Sequence, residues 1–112
     1  MANIKFLLGL TSLLFLNSAI AAPAGVGKTV FESTCIACHG ADGGGVIPGV
    51  PDFKRKDGPL SKSDAVLSKH VTEGFQGPES PMAMPAKGGN PSLTNKEVRE
   101  VLKYIRQEFG RR

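Results

Sequence analysis

The sequence has no tryptophan, one tyrosine and six phenylalanines among 112 residues. Its own side chains therefore offer only a thin core, and a domain this small buries a modest share of its surface and often needs a staple. There are only two cysteines, Cys35 and Cys38, with two residues between them. A bridge between them would close a tiny loop and constrain the unfolded chain very little, which excludes a disulfide-built scaffold. Long runs of one charge are absent. The densest basic stretch is Lys54-Arg55-Lys56 in a chain of net charge +4, so only the sign of the charge favours nucleic acid, and binding to it is not expected. Dispersed lysines are ordinary solvated side chains, or a loose basic surface that steers docking to an acidic protein. No internal repeat is visible. The longest apolar run, Phe6 to Leu16, counts 11 residues, short of the roughly 20 that span a bilayer.

That run has a different use. Met1 to Lys5 forms a basic lead, Phe6 to Leu16 an apolar stretch, and Asn17 to Ala22 a small, mildly polar segment. This is the layout of an export signal. Ala19 and Ala21 satisfy the small-x-small rule, which places the cut between Ala21 and Ala22. The expected organisation is a signal peptide over 1–21 and one mature domain over 22–112, exported to the periplasm and not inserted in the membrane after cleavage. Loss of Lys5 leaves 13 basic and 10 acidic side chains, a net +3.

The mature part is organised around Cys35-Ile36-Ala37-Cys38-His39. Cys-x-x-Cys-His is the pattern of c-type haem attachment. Each thiol can add across one porphyrin vinyl group. The i, i+3 spacing puts both thiols on one side of a helix, and His39 follows at once as a candidate iron ligand. A redox dithiol of the thioredoxin kind shares the Cys-x-x-Cys spacing, but no βαβ pattern surrounds it here.

The spacing predicts a helix from near Gly25–Lys28 to about Cys38, with Val26, Val30 and Phe31 on its apolar side and Gly27 marking close approach by a second helix. Gly40 to Pro59 is loop by composition. It suits a backbone wrapped on a flat cofactor, with Val46, Ile47, Val50 and Phe53 facing the ring or the core. Ser61 or Ser63 caps a short helix that ends near Gly74 and carries His70. Phe75 to Ser92 is again broken by proline and glycine and holds Met82 and Met84. Thr94 and Glu97 form a capping box, Leu93 and Val98 a staple, and Val98, Val101, Leu102, Ile105 and Phe109 one helical face. Gly110 ends this last helix, with Arg106, Arg111 and Arg112 near its negative end.

With these residues assembled, the chain resembles a class I c-type cytochrome, a small all-α fold. Gly27 and Phe31 stand eight and four residues before Cys35, as in the family's N-terminal helix, and Val98 to Ile105 with Tyr104 is similar to its C-terminal helix. The resemblance implies that these two helices cross at Gly27, with Phe31, Val101 and Tyr104 packed there. Met84-Pro85-Ala86-Lys87-Gly88-Gly89 is similar to the Met-Pro-x-Lys-Gly-Gly segment of small bacterial cytochromes of the c5-like branch. That likeness implies that Met84 is the sixth iron ligand, with Met82 and His70 as rivals. It also implies that a proline carbonyl, from Pro51 or Pro48, orients His39.

The expected protein is a periplasmic, monomeric monohaem cytochrome with one haem c bound through Cys35 and Cys38 and iron ligated by His39 and Met84. It carries single electrons between redox partner proteins that dock at the haem edge, where Lys69 and Lys87 stand as candidate surface cations. It is not expected to be an enzyme. The alternatives are a cytochrome subunit of a larger respiratory or dehydrogenase complex, and an open-site haem enzyme or sensor such as a weak peroxidase.

Overall fold

A computed structural model describes residue 9 and residues 12–14, 25–78 and 80–110. The expected export signal lies almost wholly outside the described residues. So do the cut at Ala21, the tail before Gly25, and Arg111 and Arg112. Between Gly25 and Gly110 the described residues form helices joined by irregular segments. Among the described residues the chain has no strand, only one isolated antiparallel bridge between Phe75 and Met84.

The first helical path has three parts: α1 (Val26–Val30), a π-helical turn (Phe31–Cys35) and α2 (Ile36–His39). The sequence predicts a plain helix here. The ladder instead steps to i+5, with Ile36 N–H donating to the Phe31 carbonyl. The Ser33 hydroxyl donates to the carbonyls of Thr29, at 2.9 Å, and Val30, at 3.3 Å. A side chain that bonds back to the preceding turn competes with the backbone ladder and loosens it. Gly40, with φ +79°, ends α2. Gly45 and Val46 N–H then cap the His39 and Cys38 carbonyls at 2.8 and 2.9 Å.

Helix α3 (Asp64–Glu73) starts at Ser63, whose hydroxyl accepts from Val66 N–H at 3.3 Å, and stops at Gly74, with φ +83°. Only Leu67 on it is fully buried. Helix α4 (Asn95–Phe109) starts at Thr94, whose hydroxyl accepts from Glu97 N–H at 3.1 Å and bonds the Glu97 carboxylate at 3.2 Å. All five apolar positions expected on its inner face are buried, and so is Leu93 before the cap.

The most extensive packing between elements is α1 on α4. Gly27 permits it: a Cβ there would collide with the Glu100 carbonyl oxygen and the Tyr104 Cβ. Phe31, 1% exposed, sits at the crossing with its ring 5.5 Å from Tyr104 and 5.4 Å from Phe109. Tight backbone approach plus two tilted aromatic pairs makes this the best-packed region of a sparse core.

Arg106 lies in the last turn of α4, as expected, and has a second role there. Its Nε donates to Asp64 at 2.6 Å, Nη1 to the Leu60 carbonyl at 2.9 Å and Nη2 to the Lys62 carbonyl at 2.6 Å. The guanidinium fork ties α4 to the entrance of α3. Gly110 ends α4 in right-handed conformation, with φ −81°, so a left-handed cap is not used.

Candidate functional site

A cavity of about 830 Å³ opens between these elements, within the ~300–1,000 Å³ range of cofactor and ligand pockets. Its lining is mostly apolar. Val101, Leu102 and Ile105 of α4 form one wall and Leu67, His70 and Val71 of α3 another. Cys35, Cys38 and His39 enter from the end of the first helical path, and Met82 and Met84 from the segment after α3. The four residues expected to hold the cofactor are thus brought to one cavity.

The two cysteines are each half-buried and form no disulfide with one another. Burial, helped by the neighbouring Cys38, pushes the Cys35 thiol up to about 11. Redox dithiols work the other way, with a thiolate stabilised near neutral pH. Burial also pushes the His39 imidazole down from its ordinary value. A neutral imidazole is the form that ligates a metal.

His39 stacks on Phe53, with centroids 4.5 Å and planes 16° apart. Its Nδ1 is buried without a hydrogen-bond partner. The expected proline acceptor is therefore not engaged: Pro51 lines the cavity, but neither it nor Pro48 receives the imidazole. The ring is held by its face instead. A half-buried imidazole with a buried, unpartnered Nδ1, beside two cysteines at an apolar cavity, fits a ring that brings its own metal. Burying such a polar atom with nothing to bind would carry a desolvation cost.

The loop from Gly40 to Pro59 meets the expectation in part. Phe53 is buried and Val50 lines the cavity. Val46 does not face the ring or the core: it is 64% exposed. Its backbone N–H is committed to the Cys38 carbonyl at the end of α2, and its side chain stands outward. Ile47 is half-buried and away from the cavity lining. Two of the three cations of Lys54-Arg55-Lys56 stand beside carboxylates. Lys54 pairs with Asp42 at 3.5 Å and Asp52 at 3.9 Å, and Arg55 with Asp57 at 3.4 Å.

Met84 and Met82 differ in their setting. Met82 is 47% exposed. Met84 is half-buried, and its backbone is pinned on both sides to Phe75. His70 lines the cavity, and its ring stacks on Phe75 at 3.8 Å. Sequence reasoning missed Phe75. Its one signal was an aromatic residue directly after the helix-ending Gly74. It also missed the contact of Thr34 with Gly88, where an added Cβ would come within 2.8 Å of the Thr34 methyl. No sequence pattern marks that pair.

The cytochrome c family profile matches residues 25–108. A cytochrome c-555 of Prosthecochloris aestuarii is 34% identical over 87 residues, covering 73% of this chain and 84% of the relative. A cytochrome c-555 of Chlorobaculum thiosulfatiphilum is 32% identical over 82 residues, covering 73% and 92%. The gluconate 2-dehydrogenase cytochrome c subunit of Pantoea cypripedii is 31% identical over 90 residues, 75% of this chain but only 20% of that subunit. The family match takes in all four helices but for the last residue of α4, and the chain therefore belongs to the cytochrome c family, as a class I c-type cytochrome that carries electrons on one covalently bound haem c.

Proposed function

We propose that the chain is an exported, monomeric carrier of single electrons in the periplasm, with residues 1–21 as its signal peptide and residues 22–112 as the cytochrome c domain. Cys35 and Cys38 tether the porphyrin by thioether bonds, and His39 and Met84 serve as fifth and sixth iron ligands. When bound, the haem supplies the one-electron couple. The chain's part is placement, exclusion of water and tuning. The neutral His39 imidazole, held face-on by Phe53, ligates from the motif side. The Met84 thioether is a soft, neutral ligand that favours the reduced iron and closes the sixth position to substrates. Arg55 and Lys62, the cationic Lys and Arg side chains of the lining, suit the porphyrin carboxylates. Electrons pass to and from redox partner proteins docked at the haem edge, and no substrate bond is made or broken.

The observation that carries this reading is the convergence of Cys35, Cys38, His39 and Met84 on one apolar cavity. The test is an absorption spectrum of the reduced, denatured protein in pyridine, paired with the native ferric spectrum. Thioether-linked haem and a sulfur-to-iron charge-transfer band are expected. Haem extractable by acid organic solvent would sink the covalent attachment, and absence of the sulfur band would sink Met84 as ligand.

Likeness to a gluconate 2-dehydrogenase cytochrome c subunit favours a second reading, a cytochrome subunit of a larger dehydrogenase. Gel filtration of native periplasmic extract separates the two: a free carrier elutes as a monomer, a subunit with its complex.

A further inference from the structure

The end of α3 and the segment carrying Met84 are joined at one place. Phe75 N–H donates to the Met84 carbonyl at 3.1 Å, and Met84 N–H donates to the Phe75 carbonyl at 2.8 Å. Gly74 lets the two segments come this close. Its φ is +83°, and a Cβ there would lie 2.9 Å from the Met84 carbonyl oxygen and 3.0 Å from the Ala86 nitrogen. Phe75 is not a core residue, since 40% of its surface is exposed. Its ring is nevertheless fixed. The His70 imidazole stacks on it with centroids 3.8 Å and planes 15° apart, and the Lys62 ammonium stands 5.6 Å from its centroid. Residues 75–92 contain four prolines and three glycines, so the segment has little regular structure with which to place a side chain by itself.

We propose that Phe75, seated by His70 and admitted by Gly74, is a positioning residue that fixes where Met84 is presented and so sets how firmly the sixth iron position is closed. The proposal rests on Met84 being the sixth ligand. It gives His70 a role apart from the iron, as the plate against which Phe75 is held.

The test compares holoproteins carrying Gly74→Ala, Phe75→Leu and Phe75→Tyr with wild type. Gly77→Ala is the control, because a methyl there makes only ordinary contact, 3.8 Å, with the edge of the Phe75 ring and displaces nothing. Gly74→Ala and Phe75→Leu are expected to weaken the ferric sulfur-to-iron band. They should also bind cyanide about tenfold faster, since binding follows the fraction of molecules with an open sixth position. Phe75→Tyr, which keeps the stacking ring, and Gly77→Ala should match wild type, with helix content equal throughout. Met84→Ala separates the two levels. If it keeps the sulfur band, the ligand assignment falls and this proposal with it. If it loses the band while Gly74→Ala and Phe75→Leu keep both band and cyanide rate, the positioning role alone is overturned. If both variants fail to fold, amide exchange in the wild-type holoprotein decides. Met84 N–H is expected to exchange about tenfold or more slower than in an unstructured peptide, and an unprotected Met84 N–H overturns the proposal.

Discussion

Gly27 and Tyr104 are in backbone-to-side-chain contact at the crossing of α1 and α4: a Cβ on Gly27 would stand 2.8 Å from the Tyr104 Cβ and closer still to the Glu100 carbonyl oxygen. Two effects oppose each other for Gly27→Ala. Alanine gains about 1 kcal/mol of helix propensity. It also forces a backbone carbonyl aside, and overpacking of this kind costs about 1–3 kcal/mol. The obstacle is main chain rather than a flexible side-chain tip, so collision wins and the variant unfolds at lower denaturant. A rise in the denaturation midpoint would contradict the close crossing.

Thr94 caps α4 through Glu97 N–H. Thr94→Ala leaves that donor without its partner at the start of the helix that contributes most to the core. A loss of about 1 kcal/mol is expected in urea unfolding, with Thr94→Ser close to wild type. Equal losses for Ala and Ser would move the effect from the cap to the threonine methyl.

Arg106 makes three hydrogen bonds to the segment entering α3, two of them to backbone carbonyls. Lysine has one ammonium and cannot reproduce the fork. Arg106→Lys should cost about 1–2 kcal/mol. Asp64→Asn should cost less, because the carbonyl bonds survive. A double-mutant cycle that finds the Asp64 pair carrying the whole Arg106 effect would overturn this ranking.

Asp42 is a fully exposed carboxylate held below its ordinary range, first by the Gly44 backbone N–H and then by Lys54. A depressed folded value means stability that is present above the unfolded carboxylate range and disappears as pH falls through the folded one. Asp42→Asn should therefore be slightly less stable than wild type at neutral pH, and the difference should vanish in strong acid. A gap that persists in acid would mean the asparagine disturbs the turn and not the charge.

Met84→Ala should lower the midpoint potential and open the iron to cyanide, since removal of a thioether ligand removes its preference for reduced iron. Potentiometric titration and a ligand-binding time course read both. An unchanged potential would transfer the assignment to Met82 or His70.

The long-range frame was legible because it rests on local patterns. The apolar face of α4, its Thr94 cap, the Ser63 start and Gly74 stop of α3, and the need for a glycine at position 27 each follow from periodicity or from residue-specific backbone preference. The motif Cys35-Ile36-Ala37-Cys38-His39 carries its chemistry in five consecutive residues. Less was legible where a side chain answers to a distant partner. Val46 has the composition of a pocket residue, but its backbone caps α2 and its side chain stands outward. Arg106 sits in the last turn of α4 as expected, but its reach to Leu60, Lys62 and Asp64 was not legible. The His39 imidazole leans on Phe53, where family likeness suggested a proline carbonyl.

By itself, then, the sequence determined where α3 and α4 start and stop, the family, and the haem-attachment motif Cys35-Ile36-Ala37-Cys38-His39, because each depends on neighbours a few positions away. Only the tertiary structure decided which loop residues line the cavity, how Arg106 joins two helices, and that Met84 is tied through its backbone to Phe75. Those outcomes turn on which polar groups, far apart in the chain, find one another once the backbone is compact, and no spacing along the chain encodes that.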